Sequence, residues 1–236
     1  EQIDYAKGPK YERMNFGPML DWTCEVAPGN IAYKGIAIRL DEGPGGVSKG
    51  RHWMVYDHDT MRVAAAWSGN KFVDWKGIAF DQSHGTHTSI VGERTLVNPV
   101  GPGWANPTDG SWADPRFLGR DGKPYGPLPR AWAHFKGQYI HGHKIIIHYT
   151  VGDAEVLEMP SLIQEGEAPV FGRTLNIGKS SHDLRLRVSP ADVTALIVGD
   201  SEARLEVVDG YQVMTVAAKD TPIRINLLSS RADAQA

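Results

Sequence analysis

The 236-residue chain holds a single cysteine, Cys24, and no Cys-x-x-Cys or Cys-x-x-Cys-His string. A lone thiol cannot close an internal disulfide, and covalent haem attachment and thiolate zinc sites are excluded for this chain. The ordinary place for such a residue is the interior, as a small apolar group. No apolar run approaches the ~18 residues that a membrane-spanning helix requires. No cluster of five or more Lys and Arg occurs, and the formal net charge is −3. The chain therefore lacks the basic face that steers nucleic acid. Gly45-Gly46 and the other glycine groups lack the strand–loop–helix setting of a nucleotide-binding motif. No period of about 20–50 residues repeats, which argues against a solenoid.

What is present is turn chemistry and period-2 patterning. Glycine (26) and proline (15) are plentiful, and a hydrophobic fraction of 41% is enough to build a core. That composition favours many turns over long helices. Ile31–Leu40 alternates imperfectly, as a partly buried strand does. His52–Tyr56 and Arg62–Trp67 flank the turn-rich Asp57-His-Asp-Thr60 and read as a hairpin, with Phe72–Phe80 continuing the meander. Ala133–Ile140 and Lys144–Val151 flank His141-Gly-His143, where Gly142 suits a tight turn, and Gly152-Asp153 leads into Ala154–Met159. Downstream, Arg173–Ile177, Leu184–Val188, Thr194–Val198, Arg204–Val208, Tyr211–Ala217 and Ile223–Leu228 are short strands, with Asp209-Gly210 a strong hairpin signal. The fold class expected is all-β: an antiparallel β-sandwich or barrel-like domain.

One stretch breaks the rhythm. Asp81–Arg130 carries seven prolines and many glycines with little periodicity, yet Trp104, Trp112, Phe117, Tyr125 and Leu128 make it too apolar for a free linker. A long ordered excursion is expected, and loops of this kind are usually functional or cover a neighbouring surface. A connection near Gln164–Pro169 divides a loop-rich β region (1–165) from a regular strand region (166–230), either as two parts or as one continuous domain. A polar tail, 231–236, is expected to fray.

Candidate chemistry concentrates in the excursion. His84 and His87, three apart around Gly85 in Ser83-His-Gly-Thr-His87, can converge on a divalent metal with Asp81 as an oxygen ligand. The same groups can serve as acid or base beside Ser83 or Thr86. Histidines in a glycine turn more commonly bond nearby carbonyls, so both readings stand. Trp104 and Trp112 offer indole faces for stacking a sugar ring. Asp114, Arg116 and Arg130 supply charge for a carboxylate or hydroxyl-rich ligand, although Arg–Asp pairs also pin loops. His141 and His143 are explained by their hairpin tip, and His52, His58 and His148 carry weak signals.

Several uncommon strings resemble a known family: Asn15-Phe-Gly-Pro-Met19, Lys34-Gly-Ile-Ala-Ile-Arg-Leu40, Ser83-His-Gly-Thr-His-Thr-Ser-Ile-Val-Gly-Glu93, Asn98-Pro-Val-Gly-Pro-Gly-Trp-Ala-Asn-Pro107, Gly122-Lys-Pro-Tyr-Gly-Pro-Leu-Pro129 and Tyr149-Thr-Val-Gly-Asp-Ala-Glu-Val-Leu-Glu158. Over roughly residues 5–230 the chain is similar to an uncharacterised N-terminal domain of large secreted planctomycete-type proteins. In those proteins it precedes a propeller resembling sugar dehydrogenases and a c-type cytochrome module. The resemblance implies a secreted or periplasmic location; the start at Glu1 rather than methionine is expected after removal of either a signal peptide or a tag. It also implies a cytochrome or propeller domain as neighbour, with any haem held there, so that this chain would be a fragment or subunit of a larger assembly. It supplies no catalytic residues. The leading expectation is a carbohydrate-binding or scaffolding module of a secreted redox assembly. The alternatives are a carbohydrate-active enzyme centred on His84 and His87, and a purely structural assembly subunit.

Overall fold

The computed structural model describes residues 10–164, 168–199 and 202–231. Its strands are β1 (Met19–Ala27), β2 (Asn30–Arg39), β3 (His52–Asp57), β4 (Arg62–Ser68), β5 (Thr88–Ser89), β6 (Glu93–Val97), β7 (Phe117–Leu118), β8 (Pro124–Tyr125), β9 (Ala133–His141), β10 (Lys144–Val151), β11 (Ala154–Gln164), β12 (Val170–Ile177), β13 (Leu184–Pro190), β14 (Val193–Val198), β15 (Arg204–Val208), β16 (Tyr211–Val216) and β17 (Ile223–Arg231). The fold is all-β. A first six-stranded sheet runs β5-β1-β2-β3-β4-β6, a second runs β14-β17-β12-β11-β10-β9, and a third holds β13-β16-β15. All pairings are antiparallel except β1 with β5. None of the helices among the described residues is long and apolar enough to cross a membrane.

The turns follow the local chemistry. Asp209 (φ 50°) and Gly210 (φ 80°) both take positive φ between β15 and β16, as a two-residue hairpin turn matched to strand twist demands. Gly142 and Gly152 do the same at the two ends of β10, with φ of 60° and 58°.

The three sheets share one core. Ile36, Ile38, Met54 and Tyr56 of the first sheet meet Ile145, Ile147, Val156, Leu175 and Leu227 of the second and Leu186 and Met214 of the third. This cluster draws on residues from both sides of the connection expected near 164–169, and β11 pairs with β12 across it. Residues 165–167 of that connection, and 1–9 and 232–236 at the ends, lie outside the described residues.

The first sheet is also covered on its other face, which explains why β3 is buried at every position rather than alternately. There Cys24, Ala37, Trp53, Val55, Ala65 and Trp67 pack under Phe72, Val73 and Trp75. Residues 72–80 are therefore not a further strand of the meander: apart from a bridge between Val73 and Ile90, they form an apolar cover laid across the sheet. Trp75 takes a positive φ of 55° to turn its ring inward, and Asp74 accepts hydrogen bonds from the Lys76 and Ser89 amides. Burial in this layer pushes the Cys24 thiol well above its ordinary pKa.

A charged group bridges the first two sheets. Glu158, 1% exposed, accepts hydrogen bonds from Tyr56 of β3 (2.8 Å), Tyr149 of β10 (2.6 Å) and Arg173 of β12. Burial and the adjacent carboxylate raise both phenol pKa values far above normal, so the tyrosines stay protonated donors. A buried carboxylate is tolerable only when paired and hydrogen-bonded, as this one is.

Candidate ligand cleft

Two irregularities in strand pairing build a cleft where the first sheet meets β9. In the β1–β2 ladder the partners are Trp22 with Gly35 and Cys24 with Ala32. Thr23 alone thus faces two residues, Tyr33 and Lys34, which is a β-bulge on β2. The Thr23 hydroxyl donates to the Tyr33 carbonyl at 3.1 Å. Neighbours that regular alternation would send to opposite faces, Tyr33 and Lys34, both line the cleft. Gly35 is required beside them, because a Cβ there would stand 2.8 Å from the Trp22 carbonyl oxygen.

β9 carries the matching irregularity. His148 faces Gly137 and Tyr149 faces Phe135, which leaves Lys136 as the inserted residue. Gly137 absorbs the distortion with φ of 144°. Without the insertion Phe135 and Gln138, three apart, would lie on opposite faces; with it both line the cleft. The third wall is the β3–β4 turn. His58 donates its amide to the Lys34 carbonyl at 3.1 Å and stacks its ring on Phe135 at 4.5 Å and 18°.

The resulting cleft has a volume of about 320 Å³ and is lined by Asp21, Trp22, Thr23, Tyr33, Lys34, His58, Phe135 and Gln138, with Gly35 and Ile36 beneath. Gln138 donates to the Asp21 carboxylate at 3.2 Å. Crowding by the walls raises the Asp21 pKa, an effect the Gln138 hydrogen bond and the nearby His58 only partly offset. Carboxylate, imidazole, ammonium, amide and hydroxyl groups thus converge between aromatic walls. The Trp22 indole N–H is buried and has no hydrogen-bond partner among the described residues.

A second, smaller cleft of about 180 Å³ adjoins it, lined by Trp22, Thr23, Gly77, Ile78, Ala79, Thr86, His87 and Thr88. Its position follows from register: β5 runs parallel to β1 with Thr88 beside Cys24, so His87 arrives next to Thr23. The His87 ring meets the Tyr33 ring edge-on at 5.8 Å. Tyr33 also packs on Tyr125 at 5.0 Å and donates to its hydroxyl at 3.3 Å, while the Tyr125 hydroxyl donates to Asp121 at 2.7 Å.

The residues nominated by sequence are placed as follows. Asp81 accepts hydrogen bonds from the Gly77 and Ser83 amides and the Ser83 hydroxyl, which hold its pKa below the usual carboxylate range. His84 is exposed beyond that turn, and His87 alone of the three lines a cleft. Among the described residues no group of three or more His, Cys, Asp or Glu side chains is arranged to hold a metal ion. Trp104 is 0% exposed in the main core, where its carbonyl accepts the Trp132 indole N–H at 2.9 Å. Trp112 is half-buried, its ring 4.4 Å from the Arg187 guanidinium, whose carbon lies 4.5 Å from the Tyr211 ring centre. Arg116 is buried and grips the Asp114 carboxylate through Nε (3.0 Å to Oδ1, 3.1 Å to Oδ2), Nη2 (2.8 Å to Oδ2) and its own amide (3.1 Å to Oδ1), while donating to the Gly126 carbonyl at 3.3 Å. Arg130 is exposed, with Nη2 3.1 Å from His134 Nε2. None of these last five lines either cleft.

Sequence reasoning did not nominate Asp21, Lys34, Phe135 or Gln138. The usable signal was an isolated glycine inside each of two strand patterns, Gly35 and Gly137, which marks a bulge or close approach. No curated protein and no solved structure gives a match to the chain. Residues 54–158, which supply His58, Phe135, Gln138 and the whole far wall of the second cleft but not β1 or β2, match the family described as a domain of unknown function (DUF6797).

Proposed function

We propose that this protein is a binding module for a hydroxyl-rich ligand, a carbohydrate, held in the cleft between the β1–β2 hairpin and β9. The observation that carries the reading is the convergence of Asp21, Lys34, His58 and Gln138 beside the Phe135 ring, while the Trp22 ring packs on Phe72 behind the strand. A few directional polar groups set among aromatic walls are what a sugar needs: hydroxyls are bonded edge-on while the C–H face lies on a ring. The bulges supporting those groups are absent from regular pairing and are typical of sites that re-aim side chains. The family resemblance supports setting this module in an exported redox assembly, beside a propeller or c-type cytochrome module.

The test is calorimetric titration of the purified chain with a panel of neutral mono- and disaccharides, repeated on Gln138→Ala and Phe135→Ala. Each substitution should weaken binding about five- to tenfold, the scale of one hydrogen bond or one lost stacking face. Trp112→Ala, remote from the cleft lining, should leave affinity unchanged. Absence of any sugar binding at millimolar concentration overturns the reading.

A further inference from the structure

Two adjoining clefts of different chemistry suggest a ligand with two different ends. The larger is polar, and its volume of about 320 Å³ lies only at the lower edge of the ~300–1,000 Å³ common for small-molecule sites. The smaller, about 180 Å³, is faced mainly by Ile78, Ala79, the threonines and the His87 ring, with no carboxylate or ammonium in its lining. Ile78 is 66% exposed, a large apolar residue standing open at this site without a packing role. The two clefts share Trp22 and Thr23, and the Tyr33 ring of one touches the His87 ring of the other. The two shared residues are consecutive in β1, and that stretch of strand is the ridge between the clefts.

We propose that the clefts are two subsites of one groove and that its ligand is a glycoside. The sugar ring lies in the Asp21 cleft, and an apolar substituent on its anomeric oxygen crosses the Trp22–Thr23 ridge to rest against Ile78 and His87. The proposal rests on the carbohydrate reading above and adds the polarity and direction of the ligand. Apolar area removed from water in the second subsite supplies affinity that the sugar alone lacks.

The experiment compares free sugars, their methyl glycosides and their phenyl glycosides by calorimetry on the intact chain. For the sugar that binds, the phenyl glycoside should bind about tenfold more tightly than the methyl glycoside. Ile78→Ser, an exposed position whose change does not disturb the core, should abolish that gain and leave methyl glycoside affinity untouched. Gln138→Ala should weaken both glycosides by the same factor. If the methyl glycoside binds but phenyl brings no gain, or a gain that survives Ile78→Ser, the two-subsite groove is wrong while the sugar site stands. If only phenyl compounds bind, or nothing does, the carbohydrate reading itself fails.

Discussion

Asp21 shows how a carboxylate lining a cleft, here proposed to bind a ligand, reads in the energetics of a fold. Its carboxyl is crowded at the cleft, and the raised pKa means that the folded chain holds the proton more tightly than the unfolded chain does. Within the window between the ordinary and the raised value, the native state binds more protons, so stability falls as pH rises through it. Above that window the ionised group is a net cost to folding. Asp21→Asn should therefore match or exceed the wild type in urea midpoint at pH 7. The difference should vanish at pH values below the ordinary carboxylate range, where the acid is protonated in both states. The same variant should bind the glycoside more weakly, since the amide keeps one acceptor for Gln138 but loses the charge. A lower midpoint at pH 7 would show that Asp21 is structural rather than held for a ligand. Trp104 makes the opposite case: fully buried beside Tyr149, it is a core residue, and its indole face is not open to solvent.

Among the elements, β9 carries the sharpest constraint. Gly137 holds a φ of 144°, and a Cβ added there would meet open space. Its requirement is thus backbone conformation, not room. Gly137→Ala should cost about 1–3 kcal/mol by denaturant titration, the usual cost of a strained backbone residue. Relief of that strain by straightening the strand would slip Phe135 and Gln138 out of phase, so glycoside affinity should fall together with stability. Lys136→Ala, at the inserted residue but without changing its backbone demand, should affect neither by much: Lys136 makes an exposed ion pair with Glu155, and such pairs are worth about 0–1 kcal/mol. Loss of binding in both variants, or in neither, would contradict the role assigned to the bulge. Patterning alone did not mark β1, β6 or the two-residue strands β5, β7 and β8. In β1, Trp22 and Thr23 sit at the bulge and break alternation; β6 lies inside the proline-rich excursion, whose turn residues hide its five positions.

At the scale of the molecule, the Glu158 network couples the two large sheets. Glu158→Gln would leave the Arg173 charge buried without its counter-ion, a loss of about 3–5 kcal/mol. The expected result is a marked drop in urea midpoint with an unchanged slope, since the same surface is exposed on unfolding. A shift of under 1 kcal/mol would mean that the network contributes little to holding the sheets together. Because Tyr56 and Tyr149 stand on opposite sheets and share one carboxylate, this site also fixes how the sheets are set against each other, and with them the distance between Asp21 and Gln138 across the cleft.

The sequence by itself determined the all-β class, the hairpins at Asp57–Thr60, Gly142, Gly152 and Asp209-Gly210, and the run of short strands from Arg173 onward, because these depend on local turn chemistry and on side-chain alternation over a few residues. It also marked Asp81–Arg130 as an ordered excursion, of which His87 and Tyr125 do reach the clefts' surroundings. Only the tertiary structure decided where the cleft lies. Asp21 and Gln138 are 117 residues apart and meet through the packing of two sheets, and the bulges that turn their neighbours inward are properties of strand pairs rather than of either strand. Burial separated the aromatic residues by the same logic: nothing local distinguishes Trp104 in the core from Trp22 at a cleft wall, since each is defined by what the rest of the chain lays over it.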